Sequence, residues 1–413
     1  MRHRSLLILT SVLTTGALTL TACGSRDEGK GNGGGDSAGG STTVVIGVDA
    51  PLTGSLSALG QGIKNSVDLA VQTANKNKEV PGITFKVEAL DDQAVPASGQ
   101  ANATKLVGNK DVVGVVGPLN SGVSQQMQGV FAAAGLAQVS PANTNPSLSQ
   151  GDNWGKGEFK RPFKTYFRTA ATDVVQGKFA AQYLFKDAGK KKVFVVDDKQ
   201  TYGAGLAAIF TDEFKRLGGQ VVGTDHVTVK ETDFSSTADK VKTSGADSVY
   251  FGGQYPEGGL LSDQIKKTGA KVPVMGGDGI YDPAFISASG EANDGDLATS
   301  IGYPVEKLDT AKKFIADYNA AGYKDPYAAY GGYSYDAGWA IIQAVKAAVA
   351  ANNGKLPTDA RAKVTEALGK VSFDGVTGKV SFDEFGDTTN KQLTVYKVEG
   401  GKWVDVKSDT FNQ

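Results

Sequence analysis

Cys23 is the only cysteine in this chain, so no internal disulfide holds it together and no Cys/His set is available for zinc. Stability has to come from a packed core. Histidine is nearly as scarce. His3 lies among the first four residues, which leaves His226, inside the strand-like run 221–229, as the imidazole a Ser-His-Asp triad would need. No Gly-x-Ser-x-Gly elbow accompanies it, and a strand histidine is ordinarily packed or solvated, so an enzyme is not expected. There is no Gly-x-x-x-x-Gly-Lys-Ser/Thr loop for a nucleotide, and the glycines of 276–279 form turns rather than a dinucleotide fingerprint. Asp91-Asp92 and Asp197-Asp198 each sit at a strand end, where carboxylates commonly accept from turn or helix N–H groups, so neither pair requires a metal. With 43 Lys+Arg against 44 Asp+Glu there is no basic excess to mark a nucleic-acid partner. No cofactor is expected.

What is present begins at the N-terminus. A basic start, Met1-Arg2-His3-Arg4, precedes an uncharged, largely apolar run over residues 5–22 that ends in Leu20-Thr21-Ala22-Cys23-Gly24. The small residues before Cys23 resemble a bacterial lipobox, so residues 1–22 read as an export signal and Cys23 as a lipid-attachment site. The competing reading, a transmembrane helix, is disfavoured by the Thr and Ser content and the cleavage-like triplet. Loss of Arg2 and Arg4 with the signal leaves 41 cations against 44 anions, a net charge of −3. Residues 23–41 are rich in Gly and polar residues and read as a flexible tether.

From Thr42 the chain alternates short β-branched runs with amphipathic segments, the pattern of βα units around parallel sheets. Strands are expected over 44–48, 84–89, 112–116 and 137–139, and then over 192–196, 220–227, 248–251 and 272–275. After Asp296 the pattern turns helical, over 310–321, 334–351 and 359–368, with late strands over 379–382 and 392–398. The fold expected is α/β, two doubly wound Rossmann-like lobes joined by a three-strand hinge: 42–168 plus 302–375 as one lobe, and 169–301 plus 376–413 as the other. The crossings would fall near Thr169, Ile301 and Val376. The crevice beneath them is where such sheets place ligands.

The best local signal for a ligand is residues 112–124, a buried strand ending in Gly117-Pro118-Leu119-Asn120-Ser121 and opening a helix. Ser121 and nearby backbone N–H groups either meet an anion or simply cap the helix. A second strand-end turn, Ser140-Pro141-Ala142-Asn143-Thr144-Asn145-Pro146, adds hydroxyl and amide donors on the same side.

These motifs, with Gly47-Val48-Asp49-Ala50-Pro51-Leu52-Thr53-Gly54, Asp91-Asp92, Asp197-Asp198-Lys199-Gln200-Thr201-Tyr202-Gly203, Gly252-Gly253-Gln254-Tyr255-Pro256-Glu257 and Gly276-Gly277-Asp278-Gly279, occur in an order that resembles the leucine/isoleucine/valine-binding proteins of ABC importers. The resemblance spans 44–406 and implies the type I periplasmic binding protein fold. It implies that Ser121, Ala142 through its backbone, and Thr144 hold an amino-acid carboxylate, and that Asp278 holds the ammonium. A carboxylate partner is what a cation needs once the cleft closes and water leaves. On its own, Asp278 is equally a turn aspartate. Tyr202 would reach across the cleft and Tyr330 would line the side-chain pocket. Leu59 and Gln254 stand where leucine-binding members commonly present an aromatic ring, so the pocket wall differs there.

The implied function is a lipid-anchored, extracytoplasmic protein that captures a small, branched-chain amino acid between its lobes and delivers it to an ABC permease as a monomer. Another small solute (an amide, urea or an aromatic acid), or a sensor partnering a membrane receptor, are the alternatives.

Overall fold

The structure, a computed structural model, describes residues 41–411. The leader, the tether up to residue 40 and Cys23 lie outside the described residues. Among the described residues there are fourteen strands, which alternate with helices through the first two series; unlike the helical stretch expected after Asp296, residues 297–301 form a strand. The first half runs β1 (Thr42–Ala50), α1 (Ser57–Asn77), β2 (Ile83–Asp91), α2 (Pro96–Gly108), β3 (Val112–Val116), α3 (Ser121–Ala133), β4 (Ala137–Ser140), the short α4 (Ser147–Gln150) and β5 (Tyr166–Arg168). These five strands form one parallel sheet in the order β2-β1-β3-β4-β5. Strands buried on both faces read as continuous apolar runs, as in Val112–Val116, because helices cover each side. Val44, Ile46 and Val48 belong to the main apolar core with Ile63 and Val67 of α1, whereas Val45, Val112 and Val115 pack with Leu106 of α2 and Val123 and Met127 of α3.

The second series is α5 (Asp173–Gln182), β6 (Lys192–Asp197), α6 (Thr201–Arg216), β7 (Gln220–His226), α7 (Ser235–Thr243), β8 (Ser248–Gly252), α8 (Tyr255–Lys267), β9 (Val274–Gly276), α9 (Pro283–Ala288) and β10 (Leu297–Ile301). Then follow α10 (Lys312–Ala320), α11 (Gly331–Ala351), α12 (Ala360–Leu368), a hairpin of β11 (Ser372–Gly375) and β12 (Gly378–Ser381), and the closing strands β13 (Gln392–Glu399) and β14 (Lys402–Thr410). The second sheet has the order β14-β13-β10-β9-β8-β6-β7, parallel except for β13 and β14, which join antiparallel at one edge. Helix α11 returns to the first sheet, packing along α1 and behind β3 and β4.

The passage from β5 to α5 is tied by Thr169, whose N–H donates to Ser140 O (3.0 Å) and whose Oγ1 donates to Tyr333 O (3.1 Å). The passage after β10 turns at Gly302, whose N–H donates to Gln392 O at 2.7 Å. Gly302 has φ +74°, and a Cβ there would fall 1.6 Å from the Tyr333 hydroxyl, so only glycine fits. The third crossing differs from the sequence expectation. Val376 lies in the β11–β12 hairpin turn, where Asp336 of α11 accepts from the N–H groups of Val376 and Thr377 at 2.8 Å each. The chain stays on the first sheet as far as Gly386, whose carbonyl accepts from Arg168 N–H (3.0 Å), and enters the second only at Gln392. Residues 376–387 therefore belong with the first sheet. The short hairpin carries its own strand signal, and nothing in composition says which sheet it accompanies.

Candidate functional site

The carboxyl ends of the two sheets face each other, so the strand-end turns meet in one buried centre. Asp278 follows β9 and is 1 % exposed. Its Oδ1 accepts from the Tyr202 hydroxyl (2.7 Å) and Gln176 Nε2 (2.9 Å), and its Oδ2 from the Tyr330 hydroxyl (2.8 Å). Its N–H donates to Gln176 Oε1 at 2.8 Å, and Gly279 N–H donates to the Tyr202 oxygen at 3.0 Å. Burial pushes the Asp278 carboxyl up, while Gln176, Tyr202 and Tyr330 pull it back toward its usual range. Three neutral donors on one buried carboxylate support a charge without cancelling it.

Opposite stand the two turns of the first sheet. Ser121 opens α3 and is buried, and with Tyr202 and Gln254 it lines a cavity of about 290 Å³ between the sheets. Ala142 is buried, with its N–H 3.3 Å from Ser140 Oγ. Thr144 is fully buried and its Oγ1 has no partner of hydrogen-bond geometry. Leu59 does not line the 290 Å³ cavity; it is buried in the same apolar core as Tyr202 and Tyr330, and its neighbour Ala58 lines a larger, aromatic-walled cavity of about 750 Å³ beside Tyr281, Tyr327 and Trp403.

Two residues of the centre were not found from sequence. Asp173, at the start of α5, is fully buried, donates its N–H to Thr144 O at 2.8 Å, and has one carboxyl oxygen without a partner. Burial, then the Asp278 charge, push its carboxyl up to about 8, against the pull of the Thr144 hydroxyl and the Arg168 charge. Gln176, one turn further along α5, lies 3.3 Å from Asp173 Oδ1 and so bridges the two carboxyls. The available signal was the i, i+3 spacing of two polar residues on a helix face otherwise built from Val175, Phe179 and Ala180. An acid at a helix start is so ordinary that the spacing alone carried little weight.

Lys230 is the only lysine or arginine lining the 290 Å³ cavity, whose acidic side chains are Asp198 and Glu257, while Asp278 and Asp173 lie in the buried centre, Asp173 beside Thr144. Comparison with known proteins gives the same fold. The periplasmic binding protein family model matches residues 43–402. The chain belongs to that family. This periplasmic binding protein is 33 % identical over 361 residues to the Leu/Ile/Val-binding protein BraC3 of Rhizobium johnstonii, covering 87 % of this chain and 93 % of that one. Among solved structures it is similar to the leucine binding protein LivK of Thermotoga maritima (TM-score 0.78, 28 % identity, 88 % of this chain and 98 % of that one). It is also similar to the branched-chain amino acid transporter substrate binding protein LivJ of Streptococcus pneumoniae in complex with isoleucine (TM-score 0.77, 26 % identity, 90 % and 99 %).

Proposed function

We propose that this periplasmic binding protein captures a free α-amino acid in the centre between its sheets. The supporting observation is the pairing of Asp278 with Asp173, which itself adjoins Thr144: an ammonium between two buried carboxyls removes their repulsion, while the neutral donors Ser121 and Thr144 hold a carboxylate without a fixed cation. Ser121, the Ala142 backbone and Thr144 take the carboxylate. Asp278 and Asp173 take the ammonium, and Tyr202, Gln254 and Tyr330 bound the side chain. The similarity to a Leu/Ile/Val-binding protein (BraC3), a leucine binding protein (LivK) and a branched-chain amino acid transporter substrate binding protein (LivJ) supports a branched-chain side chain.

Capture shifts an open and closed equilibrium, because the ammonium ligands come from the second sheet and the carboxylate ligands from the first. The two lobes are 42–168 with 302–387, and 169–301 with 388–413. The protein acts as a monomer, anchored outside the cell membrane through lipidated Cys23, and hands its ligand unchanged to an ABC permease. Replacing Cys23 with Ala moves the protein from the membrane to the soluble fraction if this anchor is right. Isothermal titration with leucine, isoleucine, valine and benzoate tests the ligand. Heat with the three amino acids supports the reading, and heat with benzoate alone replaces it by an aromatic-acid carrier.

A further inference from the structure

Arg168 is the last residue of β5, and its side chain is fully buried. A buried guanidinium persists only where its N–H groups all find acceptors and a counter-charge is close. Here the acceptors are specific. Nη1 donates to the carbonyls of Asn143 (3.1 Å) and Asn145 (2.9 Å), Nη2 donates to Ser149 Oγ, and Nε donates to Asp387 Oδ1 at 2.6 Å. Asp387 accepts at its other oxygen from Gln150 Nε2 at 2.9 Å. The Tyr166 ring lies 5.5 Å from the guanidinium carbon, and its hydroxyl donates to Asn143 Oδ1 at 3.3 Å.

The two carbonyls that Arg168 holds flank Thr144. With both neighbours fixed on the Arg168 side, and the Thr144 carbonyl taken by Asp173 N–H, the turn has little freedom to rotate. Asp387 and Gly386, both bonded to Arg168, stand just before the third crossing between the sheets. One buried cation thus joins the ligand-facing turn to the segment that leads into the hinge, and its charge is placed behind the group assigned to the ligand carboxylate.

We propose that Arg168 is a positioning residue: it presents Thr144 to the carboxylate of the ligand and adds a favourable field there without touching the ligand. This rests on the amino-acid reading above. The test is Arg168→Lys, which keeps a cation but cannot bridge both flanking carbonyls. Affinities for leucine and for leucinamide, which keeps the ammonium and side chain but lacks the carboxylate, are measured in both proteins. The expected result is that leucine weakens roughly tenfold or more while leucinamide changes less than about threefold, so that preference for the acid falls. Equal weakening of both ligands overturns the proposal, since loss of packing alone does not discriminate between them. Where Arg168→Lys does not fold, Ser149→Ala, which loosens the guanidinium while keeping both charges, puts the same question more gently, with the same ratio as its readout. Should the wild-type protein bind no amino acid, the function fails separately. Positioning is then read from amide hydrogen exchange at residues 142–145, and unchanged exchange in the variant overturns it.

Discussion

The Tyr330 hydroxyl donates to Asp278 Oδ2 at 2.8 Å, so the start of α11, a helix packed on the first sheet, reaches a carboxylate held by the second. The hydrogen bond closes the centre from the side opposite Tyr202, and it exists only while the two sheets are close. The residue proposed to hold the ammonium is thus also tied to the first sheet.

Asp278→Ala removes the charge partner and one cross-sheet anchor, the bond from Tyr330, at once. The expected loss of leucine affinity is about 3 kcal/mol, roughly a hundredfold, because the ammonium is left buried beside Asp173 alone. The fold stays intact, since the carboxylate supports no backbone outside the site. Tyr330→Phe costs less, about 1 kcal/mol, the worth of one hydrogen bond to a charged group reduced by competition from water in the open form. Titration calorimetry with circular dichroism as a control checks both, and an Asp278→Ala protein of near-normal affinity removes this residue from the site.

Asp173 gives the site a pH dependence of definite sign. Its carboxyl is raised to about 8, so near pH 6 it is largely protonated in the empty protein. Arrival of an ammonium favours the ionised form, and binding then releases a proton. Affinity is expected to rise with pH between about 6 and 8 by up to roughly tenfold per unit and to level off above. Titrations in buffers of different ionisation enthalpy count the proton directly. The count should approach one at pH 6 and vanish in Asp173→Asn; heats independent of buffer in the wild-type protein refute the assignment.

Most of the fold was legible because its strands are short β-branched runs separated by amphipathic helices, as in Val112–Val116 followed by Ser121–Ala133. The strand β14 was not, because its apolar residues, Trp403, Val404 and Val406, are diluted by Lys402, Asp405, Lys407 and Asp409 along an exposed sheet edge, where charge guards against pairing with other chains. Tyr166–Arg168 was missed for a different reason: three residues carry too little periodicity to read. In the site, the family resemblance pointed to Ser121, Thr144, Tyr202, Asp278 and Tyr330, and five hydrogen bonds join the last three to one another and to Gly279 and Gln176. Asp173 and Gln176 escaped because their significance depends on where α5 is placed, which is a tertiary fact.

Closure also has a rim. The Tyr255 hydroxyl, at the start of α8, donates to Ser55 O just before α1, and Asn145 Nδ2 donates to Thr201 O at 2.7 Å. Neither group lies among the residues assigned to the ligand head group, so their contribution is to the closed form itself. Tyr255→Phe should weaken leucine binding by about 0.5–1.5 kcal/mol and should do so mainly by faster dissociation. Stopped-flow measurement separates the rates, and an unchanged dissociation rate excludes the latch.

A last relationship concerns stability. Asp49 in β1 and Asp92 just beyond β2 are both fully buried. Asn102 Nδ2 donates to Asp49 Oδ1 (2.8 Å) and Ala94 N–H to Asp92 Oδ1 (2.7 Å), while each Oδ2 is buried without a conventional donor. Protonation of Asp49 lets the pair share one hydrogen bond, with Asp92 as the acceptor. Burial first, then the Asp92 charge, hold Asp49 well above its usual range, and burial raises Asp92 to about 6. Both are raised above the unfolded value of 3.8, so the folded chain binds more protons than the unfolded one, and stability falls as pH rises from about 4 through 6 and beyond. Asp49→Asn supplies the missing N–H permanently: its amide oxygen still accepts from Asn102 and its NH₂ group donates to Asp92. Asp198, raised to about 7, and Asp336, raised to about 6, keep a background slope of the same sign, so the informative quantity is the difference between variant and wild type. The unfolding midpoint is expected to change little at pH 5 and to rise at pH 8 by a few degrees, the equivalent of about 1 kcal/mol. Thermal melts at the two pH values decide it: equal shifts at both mean that the pair does not share a proton.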